Sequence, residues 1–238
     1  MSRQWFPLDR LGPRSYIGAC ILIAGCAGRP GPLVPIPLEA ADREQAVTWA
    51  RATLPGHHTA MRFTWRYREE RRSGRGRATA RIAPPDSLRL DYSGGPFRSV
   101  SGAAVVVGDT ALWADPPQNF RSLVPAIPLL WAALGMVQPP AAGATVSGRL
   151  TPPQSIWRFV DGADTLDYVV TLGARRILEV EWRRGEKVVA RSRTLFDDHA
   201  MPASARIDFP EARARFELTI GAVDTAAVIA PALWRSRR

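Results

Sequence analysis

The sequence predicts a mainly β fold: one antiparallel sheet of about ten or eleven strands, curled into a half-open β-barrel with a helical lid. Three observations predict it. Between Thr59 and Ile220 apolar and polar residues alternate with a period of two, the signature of strands with one buried and one wet face. Turn residues punctuate that rhythm at near-regular spacing. Two helix-prone stretches, Leu38–Leu54 and Leu129–Val137, stand outside it. A sheet of this many strands curls rather than lying flat, and its concave apolar side needs a cover.

The chain begins with a short greasy run, Tyr16 to Gly25, preceded by Arg3, Arg10 and Arg14 against only Asp9. A helix crossing a bilayer needs about 20 apolar residues, so this run is too short to span and has the length of a signal-peptide core. It ends in Leu22-Ile23-Ala24-Gly25-Cys26. Aliphatic, small, small, cysteine resembles the lipobox of bacterial lipoproteins. That resemblance implies that residues 1–25 are removed and that Cys26 is the lipidation site. Residues 26–37, rich in proline and glycine, then read as an extended tether that does not pack. The domain proper is expected over 38–222, with a tail over 223–238.

Within the domain, Leu38–Leu54 reads as an amphipathic helix with Ala41, Ala46, Val47, Ala50 and Leu54 on one side, stopped by Pro55-Gly56. "MRFTWRYR" then sets Met61, Phe63, Trp65 and Tyr67 opposite Arg62, Thr64, Arg66 and Arg68. The same alternation recurs around Ala78–Ile82, Leu88–Tyr92, Leu178–Trp182 and Ala214–Ile220. Turns are expected at Ser73-Gly74, Pro84-Pro85, Gly94-Gly95, Gly108-Asp109, Asp161-Gly162 and Arg184-Gly185. The block "NFRSLVPAIPLLWAALGMVQPP" interrupts the meander. It is too apolar for a surface helix and, broken by Pro125 and Pro128, too short to span a membrane.

Composition narrows the function classes. The two cysteines are Cys20, in the removed segment, and Cys26, so the mature chain holds neither a disulfide nor a free thiol. Net charge is +10, falling to +8 once three arginines and one aspartate leave with the signal. Eight arginines lie between Arg62 and Arg81, against Glu69 and Glu70. Such a hairpin attracts phosphates. In an exported protein these belong to lipid head groups and not to nucleic acid; a plain solvated strand face is the alternative.

The lipobox, the tethered helix, the meander and the helical insertion together resemble the LolA/LolB-like fold of lipoprotein sorting. "VVVGDTALWADPPQNFRS", "LLWAALGMVQPP" and the closing "MPASARIDFPEARARFELTI" carry the local likeness. The resemblance implies an apolar hollow that binds acyl chains or lipidated cargo. Phe63, Trp65, Leu90, Trp113, Trp131, Trp157, Trp182 and Phe216 are the residues placed there, ordinary core packing being the other reading of each. It also implies a membrane-contact loop, here "SGGPFRS", with Phe97 at its tip and Arg98 beside it. The expected location is the periplasmic face of the outer membrane, lipid-anchored and monomeric.

An enzyme is not expected. The histidines are His57, His58 and His199, and no nucleophile-elbow, zinc-protease or paired-cysteine spacing is present. "FDDHAMP" gathers Asp197, Asp198 and His199, residues that could hold a metal but that are also ordinary in a turn. No catalytic residue, metal or cofactor is therefore assigned. A structural or assembly lipoprotein of an envelope complex, with a filled core and no ligand, is the alternative to the carrier.

Overall fold

The computed structural model describes residues 31–95, 100–116 and 126–235. The signal segment, Cys26, and the loop residues Phe97 and Arg98 lie outside the described residues.

Helix α1 runs from Arg43 to Arg51, shorter than the expected Leu38–Leu54. The reason lies at its start. Asp42 is an N-cap whose carboxylate accepts from the Glu44 N–H at 3.0 Å, satisfying an end that has no intrahelical partner. The residues before it, Glu39–Ala40, form strand β1. Twelve further strands follow: β2 (Thr59–Glu69), β3 (Arg72–Ala83), β4 (Ser87–Gly94), β5 (Val100–Val107), β6 (Thr110–Asp115), β7 (Thr145–Thr151), β8 (Gln154–Asp161), β9 (Asp164–Thr171), β10 (Ile177–Arg184), β11 (Lys187–Phe196), β12 (Pro202–Phe209) and β13 (Ala214–Asp224). Helix α2, Ile127–Ala133, sits between β6 and β7.

All strands among the described residues belong to one antiparallel sheet in the order β1-β7-β8-β9-β10-β11-β12-β13-β2-β3-β4-β5-β6. Two meanders, β2–β6 and β7–β13, are therefore joined side by side through β13 and β2. The sheet does not close, since β6 and β1 are its edges. The expected alternation holds: Met61, Phe63 and Trp65 are buried while Arg62, Thr64 and Arg66 are exposed.

One expected turn moves. The β2–β3 hairpin turns at Glu70-Arg71, and Ser73-Gly74 lie inside β3. Glycine is there for packing. The Trp65 indole lies over Gly74 and Gly76, and a Cβ on Gly76 would come within 2.7 Å of the ring and 1.9 Å of the Ser93 carbonyl oxygen.

α2 crosses the concave face. Pro128 falls in its first turn, where a missing N–H costs nothing. It stops where Gly135 takes φ of +82°, with Gly135 N–H donating to the Ala132 carbonyl and Met136 N–H to the Trp131 carbonyl. That paired capping needs the left-handed conformation glycine adopts freely, and it ends α2 before the expected Val137.

Both terminal segments pack on the outer face. Leu33, Val34, Ile36 and Leu38, expected in a tether and at a helix start, lie against Ile156 and Val169. The other segment is a short 3₁₀ turn, Pro231–Trp234. Arg89, expected on the wet face, donates to the Leu233 carbonyl and is only 2% exposed.

Candidate functional site

The concave face is built from the inward set of each strand. Phe63 and Trp65 on β2, Leu90 on β4 and Phe216 on β13 are buried in one apolar cluster with Trp131 of α2. Trp65 and Phe216 stack with centroids 6.1 Å apart. Trp157 on β8 belongs to a neighbouring cluster beneath α1, stacked on Trp49 at 5.6 Å. Trp182 is half-buried toward the rim and donates to the Asp164 carboxylate at 3.0 Å.

Trp113 is a correction. It points to the outer face, where its Nε1 donates to the Trp234 carbonyl at 3.1 Å and the Arg89 guanidinium lies 5.4 Å from its ring centroid. The inward residue of that strand is its neighbour Ala114. Trp113 is thus separated from the other predicted hollow residues by the sheet itself.

The hollow is occupied by the chain's own helix. Leu129, Leu130, Trp131, Ala132 and Ala133 are all buried, so α2 has no wet side. Polar anchors fix it. Trp131 Nε1 donates to the Gly108 carbonyl at 2.7 Å, and Thr194 Oγ1 to the Ala132 carbonyl at 2.7 Å. Beyond its end, Val137 N–H donates to Thr53 Oγ1 at 2.7 Å, tying α2 to the residues after α1.

A pocket of about 290 Å³ opens where the ends of α1 and α2 meet the β11–β12 turn. Leu54, Met61, Leu134, Met136, Phe196 and Met201 supply its apolar wall, and Arg176 stands in it. Sequence reasoning missed Arg176, Phe196, Met136 and Met201. The signal was faint: three methionines far apart in sequence, and an arginine among many.

Other sequence candidates resolve into structure. The Asp197 carboxylate accepts from the His199 and Met201 N–H groups, both at 2.9 Å, and thus shapes its own turn. Among the described residues no group of three or more His, Cys, Asp or Glu is arranged to hold a metal ion. No described helix is long and apolar enough to cross a membrane.

The outer face carries the charge. Asp167 on β9 and Glu181 on β10 are fully buried there. Arg158 and Arg183 bond Asp167, at 2.5 Å and 3.0 Å, and Arg191 bonds Glu181. Hydrogen bonding to Asp167 pushes Arg158 above the ordinary arginine range. The N-terminal segment closes this cluster: Leu33 N–H donates to Glu181 at 3.1 Å, and Arg158 donates to the Val34 carbonyl at 3.2 Å. On β2 and β3, by contrast, Arg62, Arg66, Arg68, Arg75 and Arg77 are exposed, and Arg66 sits directly across from Arg75.

The described residues form an open antiparallel half-barrel with an apolar concave face and an internal helix. Among solved structures the chain is similar to a LolA superfamily protein from Nitrosomonas europaea, with TM-score 0.55 and 9% identity, covering 83% of this chain and 99% of that one. It is also similar to a DUF1329 family protein from Desulfovibrio piger, with TM-score 0.47 and 8% identity, covering 80% of this chain and 95% of that one. No protein-family model and no curated relative matches the sequence. The fold is LolA/LolB-like.

Proposed function

We propose that this protein is an exported lipoprotein, acylated at Cys26 and held on the periplasmic face of the outer membrane. Its half-barrel takes up acyl chains or lipidated cargo, for transfer at that membrane. One observation carries the reading. The concave face is apolar, and its occupant is a short helix with no polar side of its own. An acyl chain offers the same chemistry and would take the place of α2. The LolA/LolB-like fold supports this use without fixing it. The exposed arginines of β2 and β3 would meet anionic lipid head groups, and Phe97 with Arg98 would touch the bilayer. The protein acts as a monomer, with no cofactor and no catalytic step.

Native mass spectrometry of protein purified from envelopes tests the reading. Bound lipid is expected, and hydrogen exchange in 127–133 should quicken when a fatty acid is added. Protein free of lipid, with exchange in α2 unmoved by fatty acid, would favour a second reading. In that reading the protein is an assembly lipoprotein, its hollow permanently filled. The buried, hydrogen-bonded Trp131 is the observation on that side.

A further inference from the structure

The rim pocket has two features that a merely unfilled gap does not need. The first is its methionines. The chain has four, and the three beyond Met1, namely Met61, Met136 and Met201, all line this one pocket. Methionine is unbranched and polarisable, so a wall of methionines adapts to chains of differing shape. The second is Arg176, in the connection between β9 and β10. Its guanidinium stacks on Phe196 at 4.6 Å, and its buried Nε has no hydrogen-bond acceptor. Among the described residues no carboxylate lies within ion-pair distance of it. Burial pulls Arg176 below the ordinary arginine range. A half-buried cation with an unmet donor lacks its counter-charge.

We infer that this mouth binds the anionic end of a single-chain amphiphile, Arg176 taking the carboxylate or phosphate and the methionine wall the adjoining methylenes. A guanidinium forks onto either group through parallel N–H donors. The pocket's 290 Å³ is at the small end for a ligand site, about 300 Å³ and upward. It therefore holds the head and the first carbons. Leu134 and Met136, which flank the end of α2, form part of its floor. The rest of the chain would continue into the hollow in place of α2. The inference rests on the acyl-chain reading above and names the ligand class for it.

Displacement of the neutral dye N-phenyl-1-naphthylamine from the purified mature chain tests it. Dodecanoate, dodecyl phosphate and dodecanol share a chain length and differ in the head. Both anions should displace the dye at about tenfold lower concentration than dodecanol, the ratio a charge-assisted hydrogen bond supplies. Arg176→Gln should bring the anions to the level of dodecanol, and Arg176→Lys should restore part of the preference. Unchanged dodecanol affinity in both variants shows that the pocket is intact. The stronger of the two anions identifies a carboxylate or a phosphate head. Equal displacement by all three in the wild type, or a preference that survives Arg176→Gln, overturns the inference and leaves acyl binding standing. No displacement by any of the three removes the acyl-chain reading and the inference together.

Discussion

On β9 and β10 the outer face of the sheet carries acids that no solvent reaches; on β2 and β3 it carries arginines open to solvent. The strands are alike in having an inward set that faces the core and an outward set that carries charge. The difference is cover. Residues 33–38 lie across the first region, so Asp167 and Glu181 must find counter-charges and do, in Arg158, Arg183 and Arg191. Over the second, Arg66 faces Arg75 directly, an arrangement that destabilises a sheet. A covered face has to pair its buried charges to fold. An open one can hold excess charge at a small penalty and offer it to a partner.

Removing one buried acid should break the contrast most severely. Asp167→Asn takes from Arg158 its paired carboxylate and leaves Arg183 with Glu181 alone, and urea denaturation should report a loss of about 3 kcal/mol. A loss below about 1 kcal/mol would mean that water already screens this cluster. Next in size is the cover itself. Val34→Asp puts a carboxylate against Ile156 and Val169 and should lower stability by about 2 kcal/mol. An unchanged melting temperature would mean that the segment only rests on the sheet. The smallest stability change has the opposite sign. Arg75→Glu turns a like-charge pair into an attractive one and should raise stability by about 0.5 kcal/mol. It should also weaken binding to vesicles containing phosphatidylglycerol by more than about tenfold. Binding that persists would place the membrane contact elsewhere.

These regions also show what was legible in the sequence. The alternation in "MRFTWRYR" assigns inward and outward faces because strand geometry leaves no other option. It does not say whether an outward face stays wet. Arg89, Asp167 and Glu181 have outward parity and are nonetheless buried, because segments remote in sequence lie over them. Ser73-Gly74 reads as a turn because glycine serves both turns and close packing, and only the position of Trp65 separates the two. In Thr110–Asp115 neither residue set is clearly more apolar. Parity there is settled by the irregular pairing between Val105 and Val106, which places Trp113 outside. The rim pocket was least legible. Met61, Met136, Arg176 and Met201 come from four separate parts of the chain and share no local motif.

The junction of the two meanders bears on how the chain acquires its structure. Every other pairing between the long strands joins neighbours in sequence, across turns or short connections. The pairing of β13 with β2, which sets Leu218 across from Trp65, joins the far ends of the domain. Closing so large a loop is entropically the hardest step. Each meander can zip up locally, but the concave face takes its final form only when β13 meets β2. Until then, both inward apolar surfaces and two strand edges stand exposed. A chain that folds as it is made, from its N-terminus, presents β13 last. The interval before that strand arrives is when its apolar surfaces are most open to aggregation.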